Sequence, residues 1–292
     1  MEIGLFLGCN TPALRPDVER AIRLTMPKLG VDLVDLEGFV CCPAFGTFPS
    51  TDDDSHLAAS AWNLSLGEQK DLDLLVECGS CYSSLKTGRE HILSSEDRRA
   101  RVNELLGPVG RSFEGNHTVR HITDVLYNDV GVETIAENIG KRLEGIHAVV
   151  QYPCHTLFPS EVVGFDSPPA RPHILRELVE ALGAEVDSFS REYECCGGAG
   201  GFHNTSAAEA RAFTKAKLDA IEEETEAQMI VVSCITCLMH LDNVQKHLAG
   251  DNGEYRIPVF DYNQLLALCM GFEAREVASI SSVSREAITT LF

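Results

Sequence analysis

Ten cysteines in this 292-residue sequence fall into two sets of the same order: Cys9, Cys41 and Cys42, Cys78 and Cys81, then Cys154, Cys195 and Cys196, Cys234 and Cys237. In the first set 31 residues separate the lone cysteine from the vicinal pair and 35 separate the pair from the CysxxCys; in the second the intervals are 40 and 37. The same three features recurring in the same order mark an internal duplication. Thiols in such numbers close disulfides, bind metal or exchange electrons as dithiols. The opening MEIGLFLGCN lacks the basic and long apolar stretches of a secretory leader, and no run of 18 apolar residues occurs. A reducing cytoplasm is therefore expected, which disfavours disulfides. A CysxxCys alone is ambiguous. Tetrahedral zinc takes four ligands where each set offers five, and adjacent cysteines diverge too widely to serve one small ion. Thioredoxin-like chemistry leaves both vicinal pairs without a role. A multi-iron cluster presents several metal atoms and accommodates both, so iron–sulfur ligation is the leading reading, with a zinc-stabilised, non-enzymatic scaffold as the alternative.

The run after the second pair, Cys195 Cys196 Gly197 Gly198 Ala199 Gly200 Gly201, superficially resembles a dinucleotide fingerprint, but no clean strand precedes it and no acid follows at the ribose-binding distance. Glycines there, Gly197, Gly198 and Gly200 above all, are expected to let the backbone approach a bulky group and donate N–H bonds to sulfur. The first pair is followed by Pro43 Ala44 Phe45 Gly46, so the two sites should differ in backbone and in potential. His155, His203 and His240 stand near cysteines, and a near-neutral imidazole suits proton delivery to a leaving thiolate. Packing beside the ligands is the plainer role for each; His155 is carried forward as a candidate catalytic residue. Arg15, Lys86 and Arg171 could hold acidic groups, but solvated helix positions are the plainer reading for each. Cys269 has no counterpart in the repeat and reads, like Trp62, as a core residue.

These residues need a scaffold. Short apolar runs end just before the lone and CysxxCys cysteines: Ile3–Leu7, Leu72–Val76, Ala148–Tyr152 and Met229–Val232. Helical periodicity follows over 17–29, 82–93, 172–182 and 238–248, and again after the vicinal pairs over 54–69 and 207–224. Val31–Leu36 adds a strand, and 120–138 reads as helix. Alternating strand and helix predicts an α/β protein of two pseudo-symmetric Rossmann-like halves with parallel sheets and the cysteines at strand C-termini, where helix dipoles favour negative charge. The expected division is a first cysteine-rich domain over 1–115, a helical linker over 116–145 and a second cysteine-rich domain over 146–292. With 24 Lys and Arg against 44 Asp and Glu the formal charge is −20. That repels nucleic acid and anionic lipid, and an anionic substrate would need local basic residues.

Two copies of this spacing, with FLGC, VCCPAFG, CCGGAGG and SCITC, resemble the duplicated cysteine-rich (CCG) domain family, most nearly the heterodisulfide reductase B-subunit of methanogenic archaea. The resemblance covers nearly the whole chain; the first pair reads CCPAFG where the family name expects CCG. It implies that each set, Cys9, Cys41, Cys42, Cys78 and Cys81 or Cys154, Cys195, Cys196, Cys234 and Cys237, holds a noncubane [4Fe-4S] cluster. Together the two clusters would flank the mixed disulfide of coenzyme M and coenzyme B. Disulfide reduction takes two electrons and clusters deliver them singly, so a pair suits the reaction. It further implies the small iron–sulfur C-subunit and the flavin A-subunit of an electron-bifurcating heterodisulfide reductase complex, with hydrogenase or formate dehydrogenase upstream. No flavin or nucleotide motif is present, so electrons must arrive from another chain. The competing reading is an electron-relay protein for another disulfide, or for lactate, glycolate, glycerol-phosphate or thiol:fumarate chemistry. Such proteins usually carry ferredoxin-like motifs or incomplete cysteine sets, and neither is found here.

Overall fold

A computed structural model describes residues 1–43, 48–198, 202–250 and 253–292, with backbone alone at 202, 204, 249, 250, 253 and 254. Two four-stranded parallel sheets flanked by helices make up the molecule. The first contains β1 (Glu2–Phe6), β2 (Asp32–Asp35), β3 (Leu74–Val76) and β4 (Val119–His121) in the order β2-β1-β3-β4. The second repeats it with β5 (His147–Gln151), β6 (Glu185–Asp187), β7 (Met229–Val232) and β8 (Val259–Asp261) in the order β6-β5-β7-β8. Each strand leads into a helix: α1 (Pro16–Thr25), α2 (Asp53–Glu68), α3 (Gly79–Leu93) and α4 (Ile122–Asp124, continued by a π-turn over 125–130) in the first half. Their counterparts are α5 (Ile174–Ala181), α6 (Ala207–Glu224), α7 (Ile235–Val244) and α8 (Tyr262–Cys269).

Two of the central strands, β3 and β7, are apolar throughout because helices cover both faces of each sheet: every residue of β3 and β7 is buried. Helix starts are written locally. Pro16 opens α1 with its φ already set, Asp52 caps α2 by accepting from Ser55 N, and Asp261 with Gln264 closes a capping box on α8. The stretch 120–138, expected as continuous helix, opens instead with the last residues of strand β4 and turns helical at Ile122. The three residues of β4 pair with β3 through Leu74↔Val119, Leu75↔Arg120 and Val76↔His121. The charged, glycine-punctuated stretch after Ser94 contains a helix, Glu96–Leu106, capped by the Ser95 hydroxyl.

The halves are interlocked. Helix α8 leaves the second sheet and packs on α1 of the first, where Gln264 Nε2 donates to the buried Asp17 carboxylate at 2.7 Å. Reciprocally, the helical stretch after β4 packs on α5, and Tyr127 donates its hydroxyl proton to Glu177. Beyond α8 the chain folds back over the same junction. Ile280 N donates to Asp17, Arg15 donates to Ile280 O, and Arg285 donates to the carbonyls of Val259 and Ala278. Among the described residues no helix is long and apolar enough to cross a membrane.

His121 ends β4, fully buried, stacked on Phe165 and edge-on to Tyr82, with its two ring nitrogens bonded to Glu77 O and Thr123 Oγ1. Burial lowers its pKa to about 4. The unfolded chain therefore binds a proton that the native state refuses, and His121 costs stability as pH falls below about 6.5, by about 2 kcal/mol between pH 7 and pH 5. His121→Gln, which keeps a donor for Glu77 O, should lose correspondingly less unfolding free energy over that interval in anaerobic denaturant titrations. An equal loss in both proteins would disprove the assignment.

Candidate cysteine site

All ten repeat cysteines gather where the C-terminal ends of the two sheets face each other. Cys9 follows β1 and caps a short helix (Asn10–Leu14); Cys154 opens the equivalent helix (Cys154–Leu157) after β5. Cys78 and Cys234 are the N-caps of α3 and α7, and Cys81 and Cys237 lie in their first turns. The backbone is extended at both caps; hydrogen bonds from Cys234 and Cys81 hold Cys78 well below the ordinary thiol range, while Cys234, against the lowering by Cys237, is raised by its bond to Cys78 and by burial.

The sulfurs form one unbroken chain. Cys9 and Cys41 lie 4.0 Å apart, Cys42 and Cys81 2.8 Å, and Cys78 meets Cys234 across the two halves at 3.9 Å. Contacts between Cys41 and Cys42, and between Cys78 and Cys81, complete the first set. Contacts of Cys234 with Cys237, Cys237 with Cys196, Cys196 with Cys195 and Cys195 with Cys154 complete the second. Hydrogen bonds from Cys41 and Cys81 hold Cys42 down to about 5, and those from Cys154 and Cys196, with the Gly197 N–H, hold Cys195 down to about 2. The donating thiols Cys41 and Cys154 move the opposite way. Cys269 lies in α8, buried in the core and outside this chain of sulfurs.

Gly197 and Gly198 donate N–H bonds to Cys195 Sγ at 3.3 Å and Cys196 Sγ at 3.5 Å; Gly200 lies outside the described residues, as do Ala44, Phe45 and Gly46 of the first set. The glycines are required by the neighbouring α6 and α7. At Gly198 a Cβ would stand 2.6 Å from the His240 ring, and at Gly197, with φ +94°, it would stand 2.6 Å from Ala210 O. His240 is itself fixed by Thr214, whose hydroxyl bonds its Nε2 at 2.8 Å and also donates to Cys196 O. Burial lowers the His240 pKa to about 4, so this ring is neutral near pH 7.

A cavity of about 460 Å³ opens onto the sulfur chain. All five cysteines of the first set line it, and the second half contributes His155, Gly198, His203, Thr236, His240 and His247 among others. Arg211 also lines it, and among the described residues no Asp or Glu does, in a chain that carries 44 of them. Thr236, Met239, His240, Asn243 and His247 descend one face of α7 and the turn after it at intervals of three and four. That spacing was readable in the sequence, but what it faced was not. Of the basic residues considered from sequence, none lines the cavity. Arg15, expected to be solvated, is buried against Asp17 and the C-terminal segment; Lys86 donates to Thr118, and Arg171 is exposed. Trp62 is only partly buried, its indole N–H donating to Gly38 O beneath Arg111. Sequence reasoning also missed the buried carboxyls Glu77 and Asp261, which meet behind Cys78 from opposite halves. Burial and mutual repulsion raise Glu77, and burial raises Asp261. An acid closing the apolar run LLVEC was the available signal.

As a donor set, five thiols per half with backbone N–H groups aimed at sulfur, beside a cavity of this size, fit an iron–sulfur cluster. Among the described residues no three His, Cys, Asp or Glu side chains surround a common point for a single metal ion.

Fold and site together define a duplicated α/β protein whose two thiol-rich strand–helix junctions face each other. The cysteine-rich (CCG) domain profile matches residues 3–86 and again 148–242. A protein of Archaeoglobus profundus named as like the heterodisulfide reductase B-subunit is 43% identical over 99% of this chain and 97% of its own. The B-subunit of the ferredoxin/F420H2-dependent CoB–CoM heterodisulfide reductase of Methanosarcina acetivorans is 35% identical over 94% and 91%. A Wolinella succinogenes protein named as the membrane anchor of 8-methylmenaquinol:fumarate reductase is 30% identical over 94% of both chains. A crystal structure of a hypothetical protein from Helicobacter pylori superposes with a TM-score of 0.73 at 14% identity, over 98% of this chain but only 53% of that one, and bears on fold alone. The chain belongs to the heterodisulfide reductase B-subunit family of duplicated CCG-domain proteins.

Gly198→Ala should drive His240 from its place and cost on the order of 1–3 kcal/mol, as overpacking does. Gly140→Ala, which meets nothing within 4 Å, should behave as wild type. Equal thermal unfolding of the two variants would show that the close approach does not constrain the second cysteine loop.

Proposed function

We propose that this chain is the disulfide-reducing subunit of a multi-subunit oxidoreductase, and that its substrate is the CoB–CoM heterodisulfide. The carrying observation is the continuous run of ten sulfurs, in which two five-cysteine sets meet at Cys78 and Cys234 beside a cavity of substrate size. Each set would hold one noncubane [4Fe-4S] cluster: Cys9, Cys41, Cys42, Cys78 and Cys81 one, Cys154, Cys195, Cys196, Cys234 and Cys237 the other. Such clusters supply single electrons to a reaction that consumes two electrons and two protons and releases two thiols.

The chain's own residues do the rest. A cavity wall with no carboxylate among the described residues, and with Arg211 and four histidines, suits an anionic disulfide within an otherwise strongly acidic protein. Gly197 and Gly198 offset negative charge through their N–H bonds to sulfur. His155 stands on the cavity wall beside Cys154; burial lowers its pKa, so its neutral imidazole is placed to hydrogen-bond a departing thiolate rather than to protonate it. In this reading electrons come from a small iron–sulfur C-subunit and a flavin A-subunit, in a cytoplasmic bifurcating complex fed by hydrogenase or formate dehydrogenase. The Wolinella relative favours a second reading, in which the same sulfur chain relays electrons to a different acceptor.

Anaerobically purified protein should contain about eight irons and as many acid-labile sulfides per chain. Adding the CoB–CoM disulfide should change the paramagnetic resonance spectrum of the oxidised protein. Full iron without that response would move the assignment to electron relay, and zinc without sulfide would overturn it. In the assembled complex, Cys78→Ala and Cys234→Ala should each abolish disulfide reduction by a reduced viologen dye, because the two sets act on one bond. Full turnover by either variant would exclude joint action.

A further inference from the structure

The two halves are not electrostatically equal. Helices α2 and α6 each begin 11 positions after the second cysteine of their vicinal pair, and Asn63 and Lys217 each stand 21 positions after it. Both are buried, with Asn63 0% and Lys217 1% exposed, and both fasten the segment that leads into the pair. Asn63 Oδ1 accepts from Val40 N at 2.8 Å, and Lys217 Nζ donates to Arg191 O. The fastening is equivalent, but only the second half uses a charged group for it.

Among the described residues no carboxylate lies within ion-pair distance of the Lys217 ammonium. Its companions are the Arg191 carbonyl and the face of Phe189, whose centroid is 5.2 Å away. The nearby acids are already paired, Glu192 with Arg176 at 3.3 Å and Glu194 with Arg191 at 2.7 Å. Lys217 is close enough to Cys196, Cys237, Glu194 and Cys195 for negative charge on them to favour its protonated form. Burial lowers its pKa to about 8, which leaves the ammonium predominant at pH 7. The backbone adds to the same asymmetry: Gly197 and Gly198 donate to the second pair's sulfurs, whereas the residue after the first pair, Pro43, has no N–H to give.

We propose that Lys217 is a fixed positive charge behind the second cysteine set, placed to make the cluster held there the stronger electron acceptor of the two. The inference rests on the iron–sulfur reading above and adds a direction to it. A positive charge in a poorly screened interior stabilises the reduced, more negative state of a nearby redox group and raises its potential. One electron delivered to the protein therefore settles at the second set, and the disulfide between the sets meets two unequal electron sources. No further reductant is required, since the charge redistributes electrons that the partner chains supply.

The test is a redox titration of anaerobically isolated, cluster-loaded protein followed by paramagnetic resonance. Wild type should show two one-electron midpoint potentials. Lys217→Gln keeps a donor for Arg191 O and removes the charge; the higher potential should fall by about 59 mV or more, a tenfold change in the electron-sharing equilibrium. The lower potential should stay in place, and Lys217→Arg should keep both near wild type. Lys217→Met, which fills the same space without charge, gives the same measurement should the glutamine variant fail to assemble its clusters. A single potential in wild type, an unchanged higher potential in the neutral variants, or a fall confined to the lower one would overturn the proposal. Wild-type protein without iron and acid-labile sulfide would instead remove the iron–sulfur reading, before any variant is compared.

Discussion

The sulfurs of Cys78 and Cys234 can approach to 3.9 Å because Gly79, at the first position of α3, has no side chain. A Cβ there would lie 2.9 Å from Pro153 and 3.6 Å from Cys234 Sγ. Two strand–helix junctions, each presenting a helix N-terminus and a thiol, are pressed together at that point. Like groups so oriented repel one another once ionised, and the approach holds only because packing elsewhere enforces it. Asp17, Arg15, Gln264, Arg285 and the segment around Ile280 knit the second half's last helix to the first half's first, and Tyr82 donates to Val163 O across the same divide. These polar contacts, none of them made by a sulfur, fix the distance across which the two cysteine sets face each other.

Duplication gives the site its symmetry, and small departures from it give the site its direction. Position for position, the halves agree in strand order, helix starts and cysteine placement. They differ in what surrounds the vicinal pairs: glycines against a proline, lysine against asparagine, and His240 where the first half has Ser84, whose hydroxyl donates to Pro43 O. The cavity falls on the first-set side of the sulfur chain, while α7 of the second half supplies most of the opposite wall. A substrate lying there would be held by one copy of the repeat and reached by the cysteines of the other.

The strands legible in the sequence were mainly the central ones. β1, β3, β5 and β7 are covered on both faces and so are written as apolar runs. The edge strands β4, β6 and β8 are three residues each, VRH, EVD and VFD, too short and in two cases too polar to show a period; β4 was absorbed into the helix that follows it directly. Cysteine order disclosed the duplication and the sulfur-rich junctions, because covalent chemistry restricts residue type whatever the fold. What the sequence withheld were convergences between distant segments. Glu77 meets Asp261, Arg15 meets Ile280, and one face of α7 meets the cysteines of the other half, none of which any local period encodes.

The exchange of final helices has a consequence for how such a chain could arise and persist. A polypeptide carrying one copy of the repeat would leave the apolar side of its last helix without its own α1 to cover, and the missing surface exists only on another copy. The geometry closes on itself after two, since each copy gives one helix and receives one, as in an isologous dimer. The half is therefore a sequence unit without being a folding unit. Tethering the two copies in one chain removes the concentration dependence of their pairing, and it frees each copy to change independently at positions such as 63 and 217.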